Sequence, residues 1–309
     1  MSARKRAQAG ELPLLLPTSL WPLRARRLQP YMLMAPALLL IAAVSFVPLG
    51  QAVMQSLHRS NYLEIGEFAG LVNFERFLFS EAGRRRAWNS LVFVAGSLAV
   101  AMPLGFALAT LLNLPLRARG LLRTVLILPW LVSNTVAALL WAWILSAQFG
   151  PIAPLFAALG GSMPNPMTSE TLAMPAIILC NAWGAYPLVM VFVLAALQTI
   201  PTELQEAARI DGANAWQRFR HVIFPLVRNT TLVTMVLTTL HSFNGVSIVL
   251  IMTGGGPVGA TDVMALRVFE EGFKFYRMGL ASAGAVAIFA LNLLFTLAYM
   301  RVLRGEGHA

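Results

Sequence analysis

Apolar residues run almost unbroken through most of this 309-residue chain, and charge gathers in the gaps between the runs. Residues 87–116, 124–169, 171–202, 229–261 and 278–300 contain no Asp, Glu, Lys or Arg. A helix that crosses a bilayer needs about 20 mostly apolar residues. Backbone groups in lipid must be satisfied within the spanning element, which leaves helices or closed barrels. Barrel strands alternate apolar and polar positions over about ten residues, whereas these runs are continuously apolar. The pattern predicts an all-α, polytopic membrane protein with six spans, near Tyr31–Leu57, Trp88–Asn113, Leu121–Ser146, Leu172–Gln198, Leu226–Met252 and Met278–Leu303. The second half of the 124–169 run reads as a loop, because Gly150-Pro151, Gly160-Gly161 and Pro164-Asn165-Pro166 interrupt it.

Composition agrees with the pattern. Hydrophobic residues are 58% and charged residues 12%, with a mean hydropathy of +0.69. A soluble domain carries about twice that charge. Residues 1–30 read as a cytoplasmic tail ahead of a membrane region at 31–309. Leu12–Leu16 is too short for a span, and Arg24, Arg26 and Arg27 follow it, the reverse of a signal peptide. Lys and Arg near the spans favour both termini inside, although Arg84–Arg86 oppose this locally. The net charge of +10 is spread over these flanks, where it suits anionic headgroups, and calls for no nucleic acid. Cys180 is the single cysteine, so no internal disulfide forms.

The loop at 199–225 is too long and too polar to be a simple connection between spans. Thr202 is expected to cap a helix, with Gln205 three residues on as in a capping box and Glu203 matching the helix dipole. That helix is expected to end near Ile210 at an Asp211-Gly212 turn, followed by a second helical piece over Ala213–Arg220. The small Ala207 and Ala208 admit a close partner surface, and Glu206 offers it a carboxylate. A solvated linker without a partner is the plain alternative.

Polar groups inside spans are costly in lipid and face an interior. The fifth span carries Thr238, Thr239, His241, Ser242 and Asn244, beside Gly245, and the fourth carries Asn181, Trp183 and Tyr186. Either group can line a transport path or hydrogen-bond one helix to another. His241 by itself reads better as a satisfied interior histidine than as a proton relay.

Glu206-Ala207-Ala208, three residues, Gly212, nine residues and then Val222-Ile223-Phe224-Pro225 resembles the loop of ABC importer permeases. The family pattern ends Ile-x-Leu-Pro, so Val222 and Phe224 are conservative departures. Asp211-Gly212-Ala213, the Phe68–Phe74 stretch, Leu128-Pro129-Trp130, Met252–Pro257 and Gly279–Ala283 resemble the carbohydrate-uptake branch, the maltose and glycerol-3-phosphate permeases. The likeness covers residue 31 onward. It implies the type I importer permease fold, in which Glu206, Ala207, Ala208, Asp211, Gly212 and Pro225 form a cytoplasmic coupling helix seated on an ATPase. It also implies a second, related permease subunit, two ATPase subunits, and a periplasmic or lipid-anchored substrate-binding protein. The setting implied is a bacterial plasma (inner) membrane. ATP and Mg would sit on the partner, since the chain has no Gly-x-x-x-x-Gly-Lys-Ser/Thr loop. The chain itself is expected to bind no cofactor or metal and to hold no catalytic residue. Sugars suit the path residues Asn181, Trp183, Tyr186, His241, Ser242, Asn244 and Gly245: hydroxyls bond to amides and hydroxyls, and pyranose faces stack on rings. A sugar phosphate, amino acid or peptide is the nearest alternative. A secondary transporter needs buried carboxylates, and all thirteen acids are expected in tails or loops. An intramembrane enzyme needs a constellation that is absent from the sequence.

Overall fold

The computed structural model of the protein describes residues 23–62 and 64–304, and every structural statement below concerns those residues. They divide into two units, residues 1–51 and residues 52–309. The first unit carries most of helix α1, Leu23–Ser56. Its stretch from Tyr31 is apolar on every side and at 26 residues spans about 39 Å at 1.5 Å per residue, more than the roughly 30 Å hydrocarbon core. The helix begins inside the expected tail, at Leu23, so Arg24, Arg26 and Arg27 belong to its first turns. The expected tail up to residue 22 lies outside the described residues.

The second unit is a bundle of α2 (Glu81–Leu112), α3 (Arg119–Leu131), α4 (Asn134–Ile144), α5 (Ala173–Leu197), α6 (Thr202–Ile210), α7 (Ala215–Phe243), α8 (Val246–Met252), α9 (Met264–Phe269) and α10 (Met278–Arg304). Helix α5 is at its centre, and its most extensive contact is with α2. Small residues make that contact close. Ala101, Ala109, Ala182 and Ala185 are buried. A Cβ on Gly105 would lie 2.5 Å from the Val189 Cβ and 2.8 Å from the Tyr186 carbonyl oxygen. Lipid gives no hydrophobic drive between helices, so van der Waals contact at small residues holds them together. Gly105→Ile is therefore expected to wedge α2 from α5 and cost about 1–3 kcal/mol. The purified protein should unfold at lower temperature than the parent; an unchanged midpoint would show that the contact is not tight.

Two expected spans are broken. The third, read as one helix over 121–146, is α3 and α4, bent by 98° at Val132-Ser133. Val132 is extended, and the Ser133 hydroxyl accepts from the Val136 N–H at 3.3 Å to start α4 afresh. The fifth, read as 226–252, begins earlier, at Ala215, and is interrupted at Asn244-Gly245 between α7 and α8. One turn into helix α7 comes a wide π-turn, Phe219–Ile223, just before Pro225. Pro225 has no N–H to give the preceding turn, and a wider turn accommodates that loss.

Candidate functional site

The loop between α5 and α7 folds as helix, turn, helix. Pro201 occupies the N-cap of α6 and offers no side-chain bond, so the expected cap at Thr202 is not formed; Thr202 is already helical. Glu203 in the first turn and Arg209 in the last complement the dipole. The helix closes as expected at Asp211-Gly212. The Ala213 N–H donates to the Ala208 carbonyl at 2.9 Å and the Gly212 N–H to the Arg209 carbonyl at 3.1 Å, while Gly212 takes a left-handed φ of 76°. Both bonds satisfy carbonyls that the helix end would otherwise strand. A capping box does occur, at the next helix. Asn214 Oδ1 accepts from the Gln217 N–H at 2.9 Å, and Gln217 Oε1 accepts from the Asn214 N–H at 2.8 Å.

This rigid turn presents its motif outward. Glu206, Ala207, Asp211, Gly212 and Pro225 are exposed and Ala208 is half-buried. Glu206 makes no ion pair among the described residues. Two apolar side chains that the motif does not single out are also bare: Ile210 is 86% exposed and Trp216 65%. Phe219 ties the loop to the bundle, with its ring 5.4 Å from Phe106 of α2 and 5.5 Å from Trp216.

The seven expected path residues do not form one wall. Three converge where α5 meets the end of α7. The Asn181 Nδ2 donates to the Ser242 hydroxyl at 2.8 Å, both residues being buried, and Gly245 lies against the Asn181 amide oxygen. That oxygen has no donor of its own. His241 and Asn244 are exposed, and the Asn244 Nδ2 donates back to the Leu240 carbonyl at 2.7 Å. Trp183 packs edge-on to Trp141, with ring centroids 6.2 Å apart. Tyr186 is buried beside Ala101 of α2, where it serves packing.

One acid is buried although it lies between the long apolar helices, where the sequence places it. Glu271, in the helical turn Glu270–Lys274 that continues α9, is fully buried. Arg267 approaches its carboxylate at 2.5 Å and Arg277 at 2.6 Å, while Phe275 faces both guanidiniums. The carboxylate is thus neutralised by two cations, and the turn lies outside the long apolar helices. Nearby, Arg86 at the start of α2 pairs with Asp262 at 2.7 Å, so one of the three arginines that opposed the charge bias is held by an acid. A further missed residue is Asn292, a buried amide in the middle of α10. Its only signal in the sequence is an amide in an otherwise apolar run.

Comparison with known proteins gives the same architecture. Residues 101–305 match the family of binding-protein-dependent transport system inner membrane components. A probable ABC transporter permease protein of Brucella suis is 31% identical over 89% of this chain and 96% of its own length. The sn-glycerol-3-phosphate transport system permease protein UgpA of Agrobacterium fabrum is 31% identical over 91% of this chain and 97% of its own. The trehalose/maltose transport system permease protein MalF of Thermococcus litoralis is 31% identical over 88% and 92%. Among solved structures, a chain of a bacterial alginate ABC transporter in complex with an alginate pentasaccharide-bound periplasmic protein superposes with a TM-score of 0.78. It covers 91% of this chain and 95% of its own at 22% identity, a likeness of fold.

Proposed function

Because the chain belongs to the family of binding-protein-dependent transport system inner membrane components and is a permease subunit of an ABC importer, we propose that it carries a sugar or polyol derivative through the membrane, driven by ATP hydrolysis on separate subunits. The exposed, doubly capped helix-turn-helix at 202–218 is the observation that carries this reading. Closed helix ends occur in ordinary connections too, but here Ile210 and Trp216 stay bare beside them. A docking surface uses such apolar contacts, and a turn held by its own hydrogen bonds keeps the ordering cost of binding low. Glu206 would meet a basic group of an ATPase, and Ile210 and Trp216 would supply the apolar contact. Two ATPase subunits, a second permease and an external binding protein complete the machine.

The substrate class rests on the relatives. Glycerol phosphate, trehalose and maltose are the solutes in the names of two of them, and all are rich in hydroxyls. The amides of Asn181 and Asn244 and the hydroxyl of Ser242 suit such solutes. Affinity of the cognate binding protein for a panel of sugars, polyols, amino acids and peptides, followed by uptake into vesicles, tests the class. Uptake of an amino acid or peptide and of no hydroxylated solute would overturn it.

The proposed orientation has both termini and the 202–218 turn in the cytoplasm. A cysteine at Asn214, in a Cys180→Ala background, should resist an impermeant thiol reagent in intact cells and react once the membrane is opened. Labelling in intact cells would reverse the topology and remove the docking reading with it.

A further inference from the structure

The interruption between α7 and α8 opens a cavity of about 480 Å³ against α9 and α10. This is within the range of small-molecule sites, about 300–1,000 Å³. Its walls are mostly apolar, including Val246, Val268, Ile288, Phe289 and Leu293. Three polar residues break the apolar lining: Asn244, Asn292 and Thr296. Two of the three already donate to the backbone, the Thr296 hydroxyl with its single proton and the Asn244 amide with one of its two. The Asn244 Nδ2 is bonded to the Leu240 carbonyl at 2.7 Å, and the Thr296 hydroxyl to the Asn292 backbone carbonyl at 2.8 Å. The Asn292 residue is 8% exposed, and its amide oxygen has no hydrogen-bond partner.

A buried acceptor without a donor is costly, and such groups in native proteins have a reason. Lipid does not supply one, since acyl chains carry no donor. An opening onto hydrocarbon would also strand the exposed Asn244 amide. Water would meet the acceptor alone, whereas a solute that brings a hydroxyl or amine donor to Asn292 and an apolar or ring face to Phe289 and Ile288 meets both parts of the lining. A hydroxylated ring has both.

We propose that this cavity is a substrate subsite on the transport path, in which the Asn292 amide oxygen accepts a hydrogen bond from a hydroxyl of the passing solute. The inference rests on the sugar or polyol reading above and adds α10 to the path. Asn292 becomes a specificity-determining residue beside the α5–α7 contact at Asn181 and Ser242. A polar side chain of the second permease could fill the same space, and the experiment separates the two.

The test uses the whole complex in proteoliposomes, with Cys180 replaced by Ala. Asn292→Cys and, at the mouth, Asn244→Cys are treated with a charged, water-soluble methanethiosulfonate and separately with a lipid-soluble maleimide. The proposal expects both cysteines to react with the charged reagent and transport to stop as they do. Reaction with the maleimide alone would place the cavity in lipid, and no reaction at either position would place protein in it; each overturns the proposal. In parallel, Asn292→Leu should lower uptake of the solute that the parent carries by roughly tenfold, about the worth of one hydrogen bond to a buried group. Asn292→Ser should restore part of it, with the subunits still assembling in the parent's proportions. Equal uptake by parent and Asn292→Leu would also overturn it. If the parent complex carries no hydroxylated solute, the substrate reading fails, while the labelling still reports whether the cavity is wet.

Discussion

Glu271→Ala is expected to destabilise the protein by about 3 kcal/mol, the low end of the 3–5 kcal/mol typical for breaking a buried ion pair from one side. Glu271 is fully buried, while Arg267 and Arg277 keep 23% and 48% of their side chains in contact with solvent. Removing the carboxylate leaves both guanidiniums beside Phe275 without their shared anion, with only Arg267 keeping a second partner in Glu270. Their partial hydration softens the loss, which is why the lower figure applies. Replacing all three charged residues by apolar ones of similar size should recover much of the stability, because a desolvated pair is only weakly favourable against good packing. Thermal unfolding of the purified complex measures both. A Glu271→Ala protein that melts with the parent would mean that the carboxylate holds nothing in place.

Glu206→Lys is expected to abolish transport while leaving insertion intact, because the residue is exposed and outside the long apolar helices. Against a basic group on an ATPase it sets like charges together, which costs several kcal/mol once desolvated. At about 1.4 kcal/mol per tenfold, docking should weaken by roughly a hundredfold or more. Gly212→Val reaches the same end by backbone strain. Space around the residue is open, so no side chain is in the way, but a β-branched residue at φ 76° is a conformational outlier. Co-purification of the ATPase subunits reports the loss. Retention of the ATPase by both variants would mean that the turn is not the docking element.

The sequence patterns place the span ends at Ser56, Leu112 and Leu197 and the start at Met278 to within a residue, but they miss the starts at Leu23, Glu81 and Ala215, where charged turns extend the helix beyond its apolar run. They do not reveal the breaks, because hydropathy is blind to them: Val132-Ser133 and Asn244-Gly245 lie inside runs that stay apolar on both sides. At the docking loop the Asp211-Gly212 turn follows from glycine chemistry, and the structure places it there. At the start of α6, Thr202 and Gln205 have the spacing of a capping box, but Pro201, with its φ already fixed, takes the N-cap position instead. The box at Asn214–Gln217 has the same spacing and is the one that forms. The Glu271 cluster was hidden for a different reason. Arg267 lies one turn before it, but Arg277 reaches it only after the chain has left the helix and turned at Tyr276, whose φ is 56°. Of the path residues, Asn181 and Ser242 come together although they are 61 positions apart, whereas Tyr186, on the same helix as Asn181, turns to α2.

The central claim is that the turn at 202–218 transmits ATP hydrolysis to the spans. It is tested most directly by ATP hydrolysis in proteoliposomes holding the full complex, with and without substrate-loaded binding protein, at equal subunit stoichiometry. Parent complexes should hydrolyse ATP faster when the loaded binding protein is added, and complexes carrying Glu206→Gln, which removes the charge without setting like charges together and so keeps the ATPase, should respond far less. Stimulation of Glu206→Gln complexes to the parent's level would contradict the claim.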